Sequence, residues 1–448
     1  MMNDQQKLEF PLPGSLPVPG QQADLPLPES PPALVPQVDL PGPGRSRRSI
    51  VVTGVLVTAS LLLVSVLLFA AWGSALLTPR VHGQTIARHA TPPTPRAPRP
   101  TPTVPATPTA TPQSALIVSQ VDRLLTNEVA HQQFSGSVLI AQDGHVLLSK
   151  GYSMADWDDQ VSNTPHTKFY LGSTTKEFTA MAILILQEQG KLHVTDHLCS
   201  YIAQCPPPWR PVTIHEVLTH TSGIPQLDDS LLSSASPQAW IASYNRSPLT
   251  FAPGRQFSYC NQCYQILAYV VEQASGEPYS EFLQQAIFDP LQMKNTGFDP
   301  HYLSLSDEEA VGYAGWQAKA MTLEWSVTPQ WSFLFGSGLL SSTVEDLYRW
   351  DQALYTQTLV SQQSLNKAFT PYATSQYAGS SYGYGWFIAN APTVGHRLIW
   401  HDGRIDGFRT YIGRYVDDRV TIIFLSNLAT LDELALGKAL GQIVFAHT

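Results

Sequence analysis

The chain has 448 residues and a formal net charge of −9, and its basic residues are scattered along the sequence. A protein that binds nucleic acid needs a clustered basic face, so the composition argues against a nucleic-acid partner. Proline is over-represented near the start, which predicts that the early part of the chain does not enter a packed core.

The first elements predicted along the chain are a tail and a membrane span. Residues 1–44 are rich in proline and lack apolar periodicity, as in a disordered tail. Residues 50–72 are apolar and uncharged, and a helix of roughly 20 such residues can cross a bilayer. Arg45, Arg47 and Arg48 directly precede this span, which predicts a cytoplasmic tail and a cell-membrane protein whose later residues are all extracytoplasmic.

A cleaved signal peptide is the alternative reading of the apolar span, because small residues follow it at Gly73, Ser74 and Ala75. The apolar region of a signal peptide has only about 7 to 15 residues and lies close to the N-terminus, so we favour a retained anchor. Residues 78–114 are dominated by Thr, Pro and Ala, a composition that favours extended polyproline II and predicts an extracellular stalk.

From residue 115 to residue 448 the sequence is typical of a globular domain. Residues 115–130 have helical apolar spacing, and so does the C-terminal stretch 431–445. Strands are predicted at 137–140, 145–148, 397–400, 408–415 and 420–425, the first two being joined through Asp143-Gly144, a strong hairpin signal.

These elements predict an α+β domain in which both ends of the globular region contribute to one antiparallel sheet, flanked by the N- and C-terminal helices. Residues from about 170 to 385 are mostly helical in pattern and are predicted to form an inserted second lobe. A cleft between the two lobes is then the expected place for a site.

Ser173 and Lys176 begin a run, residues 177–189, whose apolar side chains lie on every face of a helix. Such a helix is buried, and Gly190 is the residue type expected just past its end. Because residues three apart share a helix face, the Lys176 amine can reach the Ser173 hydroxyl. A lysine in apolar surroundings has a lowered pKa and can act as the base that activates a serine nucleophile.

The same spacing recurs at Ser364 and Lys367, but there the stretch is polar and no buried helix follows. The first copy has a partner motif, Tyr259-Cys260-Asn261, at the head of another helical run. A tyrosine phenol near a lysine can pass a proton to a leaving group, and an asparagine can hydrogen-bond a substrate amide. Standing alone, this motif would be interpreted as a helix-capping Asn beside a core Tyr.

A third motif, His401-Asp402-Gly403, follows a predicted strand. Glycine at a strand edge lets backbone N–H groups approach a ligand, so the N–H of Arg404 is predicted to be an oxyanion donor together with that of Ser173. We therefore take His401 as a candidate catalytic residue and Gly403 and Arg404 as candidate substrate-binding residues. Taken singly, such a histidine is more often structural.

In this order the three motifs resemble those of the serine β-lactamase and penicillin-binding-protein superfamily, in the branch that includes class C β-lactamases, D-alanyl-D-alanine carboxypeptidases, D-aminopeptidases and related esterases. The connecting segments 218–225, 253–254, 290–293, 338–342 and 383–386 are also similar to those of that family. The resemblance implies an acyl-enzyme mechanism in which Ser173 attacks a carbonyl, Lys176 and Tyr259 move protons, and water releases the acyl group.

The third motif departs from the Lys-Thr-Gly of relatives that bind β-lactams or D-Ala-D-Ala, because His401 replaces a lysine that helps hold a substrate carboxylate. Arg404 or Arg409 could take over that role. The resemblance implies a hydrolase of small peptide, amide or ester substrates, cell-wall peptides among them, with carboxypeptidase, D-aminopeptidase, esterase and β-lactamase activities all open. The alternative is a catalytically inactive penicillin-binding or sensor domain displayed on a stalk.

Four cysteines in an extracytoplasmic domain can form two disulfides, and more than one pairing is possible. The preferred pairs are Cys199 with Cys205, which would close a short loop, and Cys260 with Cys263, beside Tyr259. Thioredoxin-like chemistry is the competing reading of Cys-x-x-Cys, but it requires a βαβ setting that this sequence lacks.

No metal and no cofactor are predicted. His215, Glu216 and His220 resemble a zinc-protease motif but contain one residue too many for the two histidines to share a helical face. Residues 379–383 match the Gly-x-Ser-x-Gly nucleophile elbow, yet they have neither the preceding buried strand nor the following helix that this turn requires.

Overall fold

The computed structural model describes residues 112–226, 237–298, 309–318, 336–377, 379–389 and 393–446. The predicted tail, the predicted membrane span at 50–72 and most of the predicted stalk lie outside these ranges. Over the ranges just given, no helix is both long enough and apolar enough to cross a bilayer.

Most of the described strands form one antiparallel sheet. In chain order the strands are β1 (Gly136–Gln142), β2 (His145–Tyr152), β3 (Met154–Asp156), β4 (Val161–Ser162), β5 (Phe169–Tyr170), β6 (Ser341–Ser342), β7 (Ala373–Thr374), β8 (Ser380–Tyr382), β9 (Phe387–Ala389), β10 (Leu398–Ile405), β11 (Phe408–Tyr415) and β12 (Val420–Ser426). Eight of them pair in the order β2-β1-β12-β11-β10-β9-β8-β7, while β3 pairs with β4 and β5 with β6.

The pairing of β1 with β12 joins the two ends of the domain. Gly136 lies opposite Ser426, and the register continues to Gln142 opposite Val420. Every residue of β12 is buried, as expected of a continuous apolar run covered on both faces of a sheet. The prediction that both ends of the domain build one antiparallel sheet is therefore confirmed.

The helices are α1 (Pro112–Ala130), α2 (Thr175–Glu188), α3 (Ile214–Leu218), α4 (Pro237–Ala242), α5 (Asn261–Ser275), α6 (Tyr279–Leu283), α7 (Asp289–Leu291), α8 (Val344–Ala353), α9 (Gln362–Ala368) and α10 (Glu433–Phe445). Short 3₁₀ turns lie at Gly172–Thr174, Leu198–Ser200 and Pro207–Trp209, and a π turn lies at Gln284–Phe288.

Helices cover both faces of the sheet. The terminal helices α1 and α10 pack against each other and against β2 and β11, respectively. On the opposite face, α8 packs on β1 and β12. The buried Arg414 of β11 donates from Nε to Asp351 of α8 at 2.5 Å, and Thr421 of β12 donates to the same carboxylate at 2.6 Å. This hydrogen-bonded ion pair ties the helical part of the chain to the sheet.

Helix α2 is the buried centre of the helical region. All of its residues from Thr175 to Leu186 are buried, as predicted from an apolar surface on every side. It packs against α5, whose residues from Gln262 to Val271 are also buried. Consequently, the residues at the N-terminal ends of these helices are held by rigid, desolvated elements.

Two features differ from the sequence expectations. Helix α1 begins at Pro112, inside the last residues assigned to the stalk, because proline is compatible with the first turn of a helix. The sheet also extends through β7, β8 and β9, which were not predicted as part of it. These strands have only two or three residues each, too few for an alternating pattern to be recognised.

Candidate active site

Ser173 lies in the 3₁₀ turn that leads into α2. Hydrogen bonds from neighbouring elements hold the backbone just before it. The Leu171 N–H donates to the carbonyl of Leu340 at 2.8 Å, and the Thr410 hydroxyl of β11 donates to the carbonyl of Leu171 at 2.7 Å. Gly172 has a φ of 53°, and a Cβ on this residue would lie 2.7 Å from the backbone nitrogen of Arg404. Glycine is therefore required where the nucleophile turn meets β10.

Lys176 is completely buried, and its amine has three partners. Nζ lies 3.1 Å from Ser173 Oγ, 2.9 Å from Asn261 Oδ1 and 2.7 Å from the carbonyl oxygen of Ser337. Burial lowers the pKa of Lys176 to about 7, although the negative charge of Asp402 opposes this shift. The amine is consequently close to half-neutral at physiological pH.

The identity of these partners determines what the neutral amine can do. The Asn261 Oδ1 atom and the Ser337 carbonyl can only accept hydrogen bonds, so a neutral amine would donate its two hydrogens to them. The remaining lone pair then faces Ser173 Oγ, the only one of the three partners that can donate. In this geometry Lys176 can accept the serine proton as the hydroxyl attacks a carbonyl.

Tyr259 and Asn261 approach this pair from the start of α5. The Tyr259 hydroxyl hydrogen-bonds Ser173, and the Lys176 Nζ atom lies 4.9 Å from the centre of the Tyr259 ring. Burial raises the pKa of Tyr259 well above its ordinary value of 10, so the phenol remains protonated. Of the two groups beside Ser173, Lys176 is the one that can be a base near neutral pH.

A disulfide between Cys260 and Cys263 closes the first turn of α5. Cys260 is the N-cap residue, and its sulfur accepts from the Cys263 N–H at 3.1 Å. Sulfur is a weak acceptor compared with the oxygens usually found at this position. The covalent bond therefore stabilises a helix start that carries Asn261 and is preceded by Tyr259.

The edge of β10 supplies the second half of the site. A Cβ on Gly403 would lie only 1.9 Å from the carbonyl oxygen of Leu171, so the glycine permits close contact between β10 and the nucleophile turn. This contact brings the Arg404 backbone nitrogen beside Gly172, the residue before Ser173. The backbone N–H groups of Ser173 and Arg404 are therefore the candidates for the donors that stabilise a carbonyl oxygen as it becomes negative.

His401 is close to these groups but is engaged elsewhere. Its Nδ1 lies 2.6 Å from the carbonyl oxygen of Asp402, which can only accept, so Nδ1 carries the proton and Nε2 accepts from the Tyr382 hydroxyl at 3.1 Å. Burial, together with the nearby charge of Lys176, lowers the pKa of His401 to about 3, so the ring is neutral. Because both ring nitrogens have partners, His401 does not contact Ser173 through a hydrogen bond. His401, predicted from the sequence as a catalytic residue, therefore lines the site as a neutral ring.

Several residues that the sequence analysis did not select also shape the site. The Ser337 carbonyl binds Lys176, the Tyr382 hydroxyl orients His401, and the His220 Nδ1 atom accepts from the Cys260 N–H at 3.1 Å. The His220 ring also packs 4.4 Å, centre to centre, from the ring of Tyr259. Ser337 adjoins the segment 338–342, and His220 lies within the segment 218–225. Both segments resemble those of the family, and this resemblance could have identified the two residues.

The remaining candidate residues are dispersed. Cys199 and Cys205 form the second disulfide, so the two pairs are those preferred from the sequence. His215 Nδ1 lies 2.7 Å from the Tyr384 hydroxyl, and Glu216 forms a capping box with Thr213. Over the described ranges, no group of three or more His, Cys, Asp or Glu residues is arranged to hold a metal ion.

The site combines a serine and a lysine one helical turn apart with a tyrosine and with backbone donors on a strand edge. In an α+β domain, this arrangement defines a serine hydrolase site. The β-lactamase family model matches residues 121–443, which is most of the chain. The chain therefore belongs to the β-lactamase family, within the serine β-lactamase and penicillin-binding-protein superfamily.

Its relatives agree with this assignment. The chain is 32% identical over 334 residues to penicillin-binding protein 4* of Bacillus subtilis (strain 168). The aligned region covers 70% of this chain and 73% of the relative. It is 32% identical over 313 residues to the putative penicillin-binding protein PbpX of the same strain, covering 69% and 75%. Among solved structures, the octameric penicillin-binding protein homologue from Pyrococcus abyssi superimposes with a TM-score of 0.65 at 26% identity, covering 73% of this chain and 77% of the other.

Proposed function

We propose that this chain is an active serine hydrolase that cleaves peptide, amide or ester substrates through an acyl-enzyme. The observation that carries the proposal is the environment of Lys176, whose buried amine has a pKa of about 7 and lies 3.1 Å from the Ser173 hydroxyl. A domain that only bound a ligand would have no need of a base with that pKa beside a serine.

In the proposed reaction, the neutral Lys176 amine takes the Ser173 proton as Oγ attacks the substrate carbonyl. The N–H groups of Ser173 and Arg404 stabilise the resulting oxyanion. As the bond to the leaving group breaks, the proton passes from Lys176 to that group, with the neutral Tyr259 phenol positioned to carry it. Water then attacks the acyl-enzyme and gives a proton to the same base, which returns it to Ser173 Oγ as the bond to the acyl group breaks and the acid is released.

The polar groups around Ser173 favour a substrate with an amide or ester near the scissile bond. Asn261 uses its oxygen on Lys176, so its NH₂ group is the part that can donate to a substrate carbonyl. The neutral His401 offers no positive charge where a lysine would hold a carboxylate. We therefore place simple esters and D-aminopeptidase substrates before β-lactams and D-Ala-D-Ala peptides, because the missing lysine helps hold the carboxylate of the last two.

The proposal is tested by labelling the domain with a fluorophosphonate probe and with a fluorescent penicillin. We expect at least one probe to acylate the wild-type protein and labelling to be lost in Ser173→Ala, while Ser364→Ala serves as the matched control and retains it. Intact-protein mass spectrometry locates the adduct. Acylation of Ser173 without turnover of D-amino-acid peptides or esters would support the alternative of an inactive penicillin-binding domain, and absence of both acylation and turnover would support a sensor domain.

We also propose that residues 50–72 anchor the chain in the cell membrane, with residues 1–44 cytoplasmic and residues 78–114 acting as a stalk for the external catalytic domain. The proposal is supported by the apolar length of the span and by the three arginines that precede it. Alkaline carbonate extraction of membranes containing the full chain should leave it in the pellet. Removal by protease of only the catalytic domain from intact cells would establish its orientation, and release into the carbonate supernatant would exclude the anchor.

A further inference from the structure

His220 has a strained backbone conformation just after the end of α3. Its φ of 58° lies in the left-handed region, which residues other than glycine rarely adopt. Helix α3 ends at Leu218, and the chain after it is held by a hydrogen bond of 2.8 Å from the Gly254 N–H to the Thr221 carbonyl. Because backbone strain of this kind is concentrated at functional sites, the contacts of His220 are of interest.

The backbone on both sides of Tyr259 is bound to this one residue. The Ser258 N–H donates to the His220 carbonyl at 2.9 Å, and the Cys260 N–H donates to His220 Nδ1 at 3.1 Å. Between them, the Tyr259 ring packs against the imidazole at 4.4 Å, centre to centre. The Gln226 side chain adds a hydrogen bond of 3.0 Å to the Tyr259 carbonyl. His220 therefore contacts the tyrosine and both of its neighbours in the chain.

The His220 imidazole is in the form that these contacts require. Burial, together with the charge of Lys176, lowers the pKa of His220 well below its ordinary value, so the ring is neutral. Because Nδ1 accepts from a backbone N–H, the proton is on Nε2, which has no hydrogen-bond partner in the part of the chain that the structure describes. A phenylalanine would fill this space without the cost of a buried, unpaired N–H. What the histidine adds to packing is the acceptor at Nδ1.

We propose that His220 is a positioning residue, which holds the Tyr259 hydroxyl at Ser173 by binding the backbone on both sides of the tyrosine. The inference rests on the proposed function, in which the phenol carries a proton to the leaving group, and the phenol is hydrogen-bonded to Ser173. A shift of the backbone at Cys260 would displace the phenol. Transfer of a proton to a basic leaving group should then become slower, whereas a leaving group that departs as an anion should be affected less.

The test compares two substitutions that each keep half of the contacts. His220→Asn keeps an acceptor, because Oδ1 can take the place of Nδ1, and asparagine tolerates a left-handed backbone. His220→Phe keeps a ring against Tyr259 and lacks the acceptor. We expect kcat/KM for ethyl acetate to fall by roughly 10- to 100-fold in His220→Phe, the range for a small misplacement of a catalytic group, and His220→Asn to recover much of this loss. If His220→Phe does not fold, His220→Gly replaces it, because glycine adopts this backbone freely and also lacks the acceptor.

The leaving group separates positioning from a general loss of structure. The substrates p-nitrophenyl, phenyl and ethyl acetate share one acyl group, and their leaving groups are increasingly basic. The loss in His220→Phe should be smallest for p-nitrophenyl acetate and largest for ethyl acetate, as in Tyr259→Phe. Adding His220→Phe to Tyr259→Phe should cause little further loss, because the two changes affect the same step. An equal loss for the three esters, or fully additive losses in the double variant, would overturn the proposal.

His215 provides the matched control. This histidine also packs against a tyrosine, with its ring 4.8 Å from that of Tyr372, and it lies outside the site. His215→Phe should therefore leave kcat/KM for all three esters within about twofold of wild type. A dependence on the leaving group in His215→Phe like that in His220→Phe would count against a specific role for His220.

Hydrogen exchange separates failure of the positioning role from failure of the proposed function, because it needs no substrate. The Cys260 amide is bound by His220 Nδ1 and the Ser258 amide by the His220 carbonyl, so only the first should exchange faster in His220→Phe. His220→Asn should restore its protection. Unchanged exchange at Cys260 in His220→Phe overturns the positioning role whether or not the domain is active. If wild type hydrolyses no acetate ester faster than Ser173→Ala, the hydrolase proposal fails, and exchange at Cys260 alone decides whether His220 holds this backbone.

Discussion

Two segments of this chain have the same Ser-x-x-Lys spacing and very different surroundings. Ser173 and Lys176 begin a helix whose first twelve residues are all buried, and the lysine amine hydrogen-bonds two acceptors and the serine. Ser364 lies in the short helix α9, where its hydroxyl donates to the Glu188 carboxylate at 2.6 Å, and Lys367 is partly exposed to water. The spacing places both pairs on one helix face, but only Lys176 is fully buried, and that burial lowers its pKa.

The comparison shows what turns a spacing into a site. At α2 the neighbouring elements remove water, supply acceptors for two amine hydrogens and bring backbone donors against the serine turn. At α9 the serine hydroxyl hydrogen is already committed to a carboxylate, and the N-cap Ser361 holds the Ser364 N–H. Reactivity therefore depends on tertiary contacts from α5 and β10, which lie far away in sequence.

The largest effect is expected on removing the amine from the buried pair. Lys176→Ala should reduce the rate of acylation by roughly 10²- to 10⁴-fold, the usual contribution of a general base. Lys367→Ala is the matched change at α9 and should leave the rate within about twofold, since surface substitutions rarely affect catalysis. Stopped-flow acylation by the probe that labels Ser173 measures both. Comparable losses in the two variants would mean that spacing alone, and not burial, produces the activity.

The pH dependence of the same step should report the pKa of Lys176. Protonation removes the lone pair that accepts the serine proton, so kcat/KM should decrease as the pH falls through about 7, the pKa that burial gives this amine. Asp402→Asn should move this acidic limb to lower pH, because the carboxylate of Asp402 raises the pKa of Lys176. An acidic limb near pH 4, or one that Asp402→Asn shifts upward, would contradict the assignment of Lys176 as the base.

The sequence predicted the strongly patterned parts of this fold and site. The periodicity of apolar residues and the turn residues predicted the hairpin of β1 and β2, the long strands β10 to β12 and both terminal helices. The site was predicted through Ser173, Lys176, Tyr259 and Asn261, because helix starts and motif order are local features.

The rest depends on contacts that the sequence does not encode locally. The hydrogen bonds of the His401 ring could not be predicted, because its partners, the Tyr382 hydroxyl and the Asp402 carbonyl, depend on side-chain rotation and on a strand too short to be recognised. Ser337 contributes a backbone carbonyl, for which no side-chain pattern exists.

The two disulfides offer a smaller and more specific comparison, because Cys260–Cys263 borders the site and Cys199–Cys205 does not. Cys260→Ala with Cys263→Ala removes both the covalent link and the cap at the start of α5. We expect kcat to fall by roughly tenfold with little change in KM, because a small misplacement of catalytic groups slows the chemical step. Cys260→Ser with Cys263→Ala should recover part of the loss, since serine is a better N-cap acceptor than cysteine. Cys199→Ala with Cys205→Ala is the control.

These rates must be measured below the unfolding temperature of each variant, so that a loss of stability is not mistaken for a loss of positioning. Hydrogen exchange at the first-turn amides of α5 gives a second measurement that does not depend on activity. Equal decreases of kcat for the two cysteine pairs, or unchanged exchange at α5, would show that Cys260–Cys263 stabilises the domain without positioning Tyr259 and Asn261.

The smallest effect is expected for Ser364→Ala. This hydroxyl is buried and donates to Glu188, so its loss should lower the free energy of unfolding by about 1 kcal/mol, as is usual for a single hydrogen bond, and leave acylation unchanged. Denaturant titration and probe labelling measure the two quantities on one preparation. Ser173→Ala should show the reverse, with labelling abolished and stability little affected, because the small Ser173 hydroxyl contacts only polar groups of the site and contributes little to packing. If both substitutions affected labelling, or neither did, the distinction between the two Ser-x-x-Lys segments would fail. If Ser173→Ala alone abolishes labelling, the difference in reactivity between the two segments comes from the desolvated surroundings of α2, since the residue types and their spacing are the same.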